Sequence, residues 1–480
     1  MTLRSLCIIL IGLLALPPSP FASAAERPPN VVFILTDNHG AWTLGCYGNK
    51  DIRTPNIDKL ASQGTLFERC YSSNAVCSPT RATYLTGLIP SQHGVHSYLG
   101  SEGAQMGPEA YCTIGEFRSL PQILAENGYV CGLTGKWHLG DSLHPQEGFT
   151  TWATMPKGHT SVFYNAPVIE NNKVHKEPEY LTKFWTDHAV RFIEKNKDRP
   201  FFLYLPYNGP YGLGRSLLKP ARNRHADYYA DKTLPSFPRE EPDPWLYNNR
   251  DYINNIESIR RYAAEVSGVD DGVGRIMAAL KANGLDENTL VIFAGDQGLA
   301  GGQSGFWGMG DHTRPLTAYD WTMHVPLIWR HPGHIPAGTR SDLLVSNYDF
   351  LPSLLDYLGL EKEQADDPPS PGRSYAAVLH GESTEWEDIV FFEYETVRAV
   401  RTNDWKYIER HPDGPDELYH LKGDPGELDN LIDQDAHAAI QAELKQRLDG
   451  FFARYAESKY NLWKDGTSKA NQISKRPVKR

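Results

Sequence analysis

Past the apolar run that ends at Leu16, the chain has no stretch of about 18 apolar residues, the length a helix needs to cross a bilayer, so no membrane span is expected. Base is not in excess either. Against 59 Asp and Glu there are 48 Lys and Arg, a net charge of -11, and a nucleic-acid partner would need a broad basic face. Cysteine is scarce at six residues in 480. Apart from Cys7 near the N-terminus there remain Cys46, Cys70, Cys77, Cys112 and Cys131, an odd number that leaves at least one without an internal partner. Internal repeats and low-complexity segments are absent, which removes solenoid and array architectures.

What is present is the composition of a globular protein. With 40% hydrophobic and 22% charged residues over 480 positions, the chain can bury a large core, and two domains are expected. Arg4, the apolar run Leu6 to Leu16 and then Ala22-Ser23-Ala24 form an export signal over residues 1–24, which predicts a periplasmic or secreted mature protein. At the other end, Lys464 to Arg480 carries six Lys or Arg with no apolar period, so 461–480 is expected to be a disordered, solvated tail.

Short apolar runs end abruptly in chemically capable residues. Val31 to Leu35 precedes Asp37-Asn38, Phe201 to Leu205 precedes Asn208, and Leu290 to Phe293 precedes Asp296-Gln297. Helical patterns lie between them, Ile57 to Gln63 closed by Gly64 and Ile259 to Asn283 closed by Gly284. Alternating strands and helices predict an α/β domain over 25–380 with a mostly parallel sheet sandwiched by helices. Its ligands would gather at the carboxyl ends of the strands. After His380 the pattern changes to four short strands and a helix from about His437 to Tyr455, a smaller C-terminal α+β unit over 381–460. The Pro-rich segment Asp367 to Gly372 before it reads as a linker or a surface loop.

The segment Cys77-Ser78-Pro79-Thr80-Arg81-Ala82-Thr83-Tyr84-Leu85-Thr86-Gly87 has Pro in a first helical turn and Arg81 one turn beyond Cys77 on the same face. A helix N-terminus at that point favours an anion. Gly135-Lys136-Trp137-His138-Leu139-Gly140 follows another apolar run, Tyr129 to Leu133. Glu417 to Glu427, continuing through Asn430-Leu431, forms a third distinctive run. Together these resemble the formylglycine-dependent sulfatases, of the alkaline phosphatase-like superfamily, over nearly all of the mature chain.

The resemblance implies that Cys77 is oxidised after translation to an aldehyde, the work of a formylglycine-generating enzyme. The aldehyde hydrate carries two hydroxyls on one carbon, so that one attacks sulfur and the other later collapses and expels sulfate. Arg81 and Lys136 would hold sulfate oxygens, and His138 would take the proton whose loss expels sulfate. Asp37, Asn38, Asp296 and Gln297 would bind a divalent cation together with residue 77. Oxygen ligands of this kind suit calcium, with magnesium the second choice. Asn38 departs from the family's usual acidic pair, and Gln297 is longer than its common Asn, so the cation site is less acidic than in relatives. Where the family often has a His after the strand Phe201 to Leu205, this chain reads Asn208-Gly209-Pro210-Tyr211. Where it has a Lys, this chain has Gly310-Asp311-His312-Thr313-Arg314-Pro315, making His312 the best substitute and Arg314 the next. Tyr211 and Arg314 are candidates for substrate binding, and which group serves as general acid is open.

In the loop from Gly212 to Tyr252, the mixed cations and aromatics Arg222, Arg224, His225, Tyr228, Trp245 and Tyr247 suit a sulfated sugar or simply coat a loop. The reading is an exported sulfuric ester hydrolase for a sulfated carbohydrate. Two alternatives stand beside it: a phosphate or phosphonate ester hydrolase of the same fold, and a sulfated-glycan binding protein without turnover.

Overall fold

The computed structural model describes residues 27–100, 102–158, 162–218 and 223–473. The leader 1–24, Arg222 and the last seven residues of the basic tail lie outside the described residues. The main sheet is built on β1 (Asn30–Asp37), β2 (Thr65–Tyr71), β3 (Val130–Gly135), β4 (Phe149–Thr154), the hairpin β5 (Ala166–Glu170) and β6 (Lys173–Glu177), β7 (Phe201–Pro210) and β8 (Thr289–Gly295). Its centre runs β8-β1-β7-β3-β4, every pair parallel. The flanks are mixed: the hairpin adds to β4 and Leu327–Arg330 to both β8 and β2 antiparallel, while Thr339–Ser346 pairs with β2 in parallel. The expected mostly parallel sheet is therefore a parallel centre with mixed margins.

All eight residues of β1 are buried, the near-continuous apolar run of a strand covered on both faces. Period-two alternation divides that run between two cores. Val32 and Ile34 join the helices Leu181–Asn196 and Ile256–Ala282 and α1 (Pro55–Ser62), while Val31, Phe33 and Leu35 join α2 (Cys77–Thr86) and the helix Phe350–Tyr357. The parallel arrangement brings Asp37, Gly135, Pro210 and Gly295 to one end of the sheet, where the chain leaves each strand in a polar loop.

The second sheet is a meander of Ile389–Tyr394, Val397–Thr402, Trp405–Arg410 and Glu417–His420, with the helix Ala438–Tyr455 packed on it. Buried charge joins it to the first unit. Lys406 Nζ donates to Ala318 O at 2.9 Å, Asp320 Oδ1 at 2.5 Å and Glu427 Oε1 at 2.7 Å. Asp367 to Gly372 is tied to the end of α2 by Ser370 Oγ donating to Gly87 O at 2.6 Å.

The expectation of a disordered tail fails for residues 461–473. Ile473 is buried and its N–H donates to Glu395 Oε1 at 2.7 Å, and Lys469 N donates to Gly94 O at 2.8 Å. Trp463 lies under the Arg398 guanidinium at 4.5 Å. The segment packs as an irregular strap, so its buried residues show no helical or strand period, and Lys469 finds partners in Glu116 and Thr113 O. Among the described residues the five cysteines are free thiols, and no helix is long and apolar enough to cross a membrane.

Candidate active site

α2 starts the site. Asn74 Oδ1 accepts the Val76 N–H at 2.9 Å in a local turn, the chain enters the helix from an extended Val76, and Cys77 is the first helical residue. All ten residues of α2 are buried. One turn on, Arg81 Nη1 donates to Lys136 O at 2.7 Å, and Nη2 donates to Asp296 Oδ2 at 2.8 Å and Asp37 Oδ2 at 3.4 Å. Lys136 Nζ donates to the same Asp37 Oδ2. The Cys77 thiol donates to Asp37 Oδ1 at 3.4 Å. Asp296 Oδ1 accepts the backbone N–H groups of Asn38 at 3.0 Å and Gln297 at 2.8 Å. Gln297 Nε2 donates to Asn38 Oδ1 and lies 3.1 Å from Cys77 Sγ, while its Oε1 is buried without a hydrogen-bond partner. Donor atoms of Asp37, Cys77 and Asp296 lie within 4.8 Å of one another.

Two carboxylates and two cations thus face each other in a region closed to water. Burial works against the Lys136 ammonium, but Asp37 together with the other acidic neighbours outweighs it and the net shift is upward, so Lys136 stays charged. Arg81 also shifts up on balance, Asp296 and its other neighbours, Asp37 among them, together overcoming its burial. Burial, then Asp37, raises the Asp296 pKa to about 6. Burial, again followed by Asp37, pushes the Cys77 thiol far up, so at neutral pH the encoded side chain is a thiol and a poor nucleophile.

The loop after β3 turns successive side chains to opposite sides. Trp137 goes to the core, packing on Trp152 at 5.4 Å with its Nε1 donating to Gly140 O at 2.8 Å, and Lys136 and His138 go to the site. Gly135 has φ 136°, and a Cβ there would overlap the Pro206 carbonyl. His138 itself is left-handed at φ 59°. Its Nε2 faces Leu99 O at 3.2 Å, and its own carbonyl accepts from Ser78 Oγ at 2.9 Å.

Tyr211, also left-handed at φ 62°, donates its N–H to Asp37 O at 3.0 Å and accepts from Asn38 Nδ2 at 2.8 Å. Burial raises its hydroxyl well above 10, which keeps it an O–H donor rather than an acid at neutral pH. His312 Nδ1 sits 2.7 Å from Asp311 Oδ1. Arg314 points elsewhere: its Nη1 donates to Asp311 O at 2.8 Å and Thr313 O at 2.6 Å, and the guanidinium lies 4.9 Å over Tyr247.

These parts open into a cavity of about 390 Å³ walled by Cys77, Lys136, His138, Tyr211 and His312. Asp37, Asn38, Arg81, Asp296 and Gln297 lie fully buried behind that wall. Arg314 is not on it, nor are the five described loop residues Arg224, His225, Tyr228, Trp245 and Tyr247. Tyr98, Asn248, Asn249, Met309 and Asp311 are also on the lining, and sequence reasoning missed the first three as wall residues. The nearest signal was the pair Asn248-Asn249 itself, since Asn tolerates the left-handed φ of 70° that Asn249 adopts.

The sulfatase family model matches residues 29–360, and the model of the N-sulphoglucosamine sulphohydrolase C-terminal region matches 308–453. This chain belongs to the sulfatase family. It is 26% identical to an N-acetylglucosamine-6-O-sulfatase of Bacteroides thetaiotaomicron over 90% of this chain and 88% of the relative. With the N-acetylgalactosamine-6-sulfatase of Canis lupus familiaris the identity is 30%, covering 80% of this chain and 72% of that protein. A solved structure in complex with its substrate D-glucosamine-2-N,6-O-disulfate superposes with a TM-score of 0.71 at 25% identity, covering 89% of this chain and 98% of that one. The fold is the alkaline phosphatase-like α/β architecture with a small C-terminal unit, and the protein is a sulfatase, a hydrolase of sulfate esters.

Proposed function

We propose that the chain removes sulfate from a sulfated carbohydrate, with Cys77 converted to formylglycine as nucleophile and a calcium ion, magnesium being the second choice, held by Asp37, Asn38, Asp296 and Gln297. The observation that carries this reading is the dry cluster of Asp37, Cys77 and Asp296 at the cavity wall, backed by Arg81 and Lys136. The residues fit the cation: two carboxylates and two carboxamides form an oxygen donor set, and Gln297 Oε1 is a buried acceptor with nothing to accept. Converted Cys77 would supply the attacking hydroxyl, and a cation held by Asp37, Asn38, Asp296 and Gln297 would supply Lewis-acid stabilisation of negative charge beside it.

This chain's own residues do the rest. Lys136, charged and on the wall, neutralises charge on the sulfate oxygens in the transition state, while Arg81 fixes Asp37 and Asp296 from behind. His138 takes a proton from the residue-77 side when sulfate leaves. His312, its Nδ1 beside Asp311 and accepting the Met309 N–H at 3.2 Å, faces the cavity as the candidate proton donor to the leaving oxygen, and Tyr211 presents a hydroxyl that stays protonated. The raised thiol supports conversion of Cys77, because the encoded side chain is poorly suited to attack. Relatives named for 6-sulfated amino sugars support a carbohydrate ester, and the cavity volume suits one sugar ring. The export signal supports a periplasmic or secreted enzyme matured by a formylglycine-generating enzyme.

The test is the mass of the peptide holding residue 77, after co-expression with that maturing enzyme. A loss of about 18 Da from the cysteine form, with hydrolysis of sulfated sugars in preference to aryl sulfate, is the expected result. A persistent thiol in active protein would overturn the nucleophile, and cleavage of aryl sulfate alone would overturn the carbohydrate.

A further inference from the structure

A second cavity of about 390 Å³ lies on the flank between the helices Leu181–Asn196 and Ile256–Ala282. We propose that it is a subsite for an anionic sugar residue of the same glycan, distal to the residue being desulfated. This rests on the carbohydrate reading above and extends it to a substrate of several sugars with charge away from the scissile ester.

The two cavities have no wall residue in common, but neighbouring stretches of chain line both. Gly158 and Gly214 line the first, Tyr164 and Asn223 the second. Six residues separate Gly158 from Tyr164, so these wall points lie no more than about 22 Å apart even in a fully extended chain. The first turn of Leu181–Asn196 lies at the same end of the sheet as the reacting cluster, since Trp185 Nε1 donates to Asn208 Oδ1 at 2.7 Å near the end of β7.

The second cavity has the two elements that hold an anionic sugar. Its aromatic element is Tyr164 stacked on Tyr180, with centroids 5.5 Å apart and planes 27° from parallel. Gly268 makes room for it: a side chain there would overlap the Tyr180 hydroxyl, which instead donates to Glu265 beneath. A glycine inside a 27-residue helix is unfavourable for the helix, and this close approach explains it. The charged element is a rim of Lys183, Arg224 and Arg275, each paired with a surface carboxylate, in a chain whose net charge is -11. Lys183 lies between Glu179 at 2.6 Å and Asp187 at 2.9 Å, Arg275 reaches the same Asp187 at 2.6 Å, and Arg224 is bidentate to Asp271. The three cationic side chains are 44–75% exposed, so their ion pairs are weak and re-form readily around an incoming sulfate or carboxylate. Guanidinium groups match those anions in a bidentate fork, and aromatic faces stack on pyranose rings.

The double variant Arg224→Ala, Arg275→Ala tests the subsite. The substrates are glycosaminoglycan oligosaccharides from di- to hexasaccharide, each with one sulfate and one carboxylate per disaccharide, beside an aryl sulfate. Both arginines are on the surface and away from the reacting cluster, so aryl sulfate turnover is expected to stay at the wild-type level. KM for the hexasaccharide is expected to rise about tenfold, the loss of one good charge-assisted contact, with little change for the disaccharide. Hexasaccharide KM unmoved, or all substrates weakened alike, would overturn the subsite. Calorimetric titration of the inert Cys77→Ala protein with the same hexasaccharide separates the two readings. Binding that depends on the arginines, in a protein whose wild type cleaves no sulfated sugar, would leave the subsite standing and the carbohydrate hydrolase reading fallen. Hydrolysis of sulfated sugars with arginine-independent binding would do the reverse.

Discussion

Lys136 is the residue on which burial and chemistry bear most directly together. It and Arg81 are the two cations on Asp37 in a region with no access to water, and only Lys136 also reaches the cavity. Replacing it by Met leaves Asp37 with Arg81 alone at 3.4 Å. Removing one member of a buried ion pair typically costs about 3–5 kcal/mol, and the remaining arginine places Lys136→Met at about 3, to be read from urea unfolding. Loss of a positive charge aimed at the transition state is expected to lower kcat by about a hundredfold or more, in steady-state assay of any sulfate ester that is cleaved. Lys136→Arg should rescue stability better than rate, because a planar fork cannot take the place of a point charge against both Asp37 and the cavity.

At the scale of elements, the Gly135–Gly140 turn and the C-terminal strap decide where His138 sits. The Gly135 backbone is pressed against the Pro206 carbonyl at the β3–β7 junction, so Gly135→Ala combines a backbone overlap with a left-handed φ. It is expected to cost about 3 kcal/mol or more, whereas Gly128→Ala, left-handed with nothing within 4 Å, should cost about 1 kcal/mol in the same chemical denaturation series. The strap acts through the neighbouring loop. Tyr460 packs on Gly94, its carbonyl accepts from His96 Nε2 at 2.7 Å, and its hydroxyl donates to Glu116 Oε1 at 2.6 Å. The same loop supplies Leu99 O to His138. Deleting residues 457–480 is therefore expected to lower Tm by several degrees and to lower kcat together with it, while Tyr460→Phe, which loses one exposed-side hydrogen bond, should cost about 1 kcal/mol and leave kcat near wild type.

Over the whole molecule, legibility followed regularity. The strands and long helices announced themselves by apolar period, and the candidate cluster was legible through the resemblance carried by the Cys77–Gly87 and Gly135–Gly140 runs, with Asp37, Lys136 and Asp296 each following such a strand. The far wall could not be read: Tyr98, Asn248 and Asn249 reach the cavity from loops whose path is set by packing at a distance, and the packed strap looked like a solvated tail because irregular burial leaves no period. Nor could the sequence reveal how many acids the fold buries. Glu265, under the second cavity, has its pKa raised by burial to about 8, and Asp270 and Asp349 are raised to about 6 by the same cause. The sign follows from proton counting. Between its ordinary value of 4.5 and about 8, Glu265 is protonated in the folded state and ionised in the unfolded one, so the folded state binds more protons and stability falls as pH rises. Its contribution is fully present below 4.5 and lost as pH passes through about 8, up to about 5 kcal/mol at 1.36 kcal/mol per unit. Glu265→Gln is isosteric with the protonated form and keeps an acceptor for Tyr180, so the variant should match wild type near pH 4.5 and exceed it increasingly toward pH 8. Unfolding free energies measured across that interval check this, and parallel curves for the two proteins would show that Glu265 ionises normally in the folded chain.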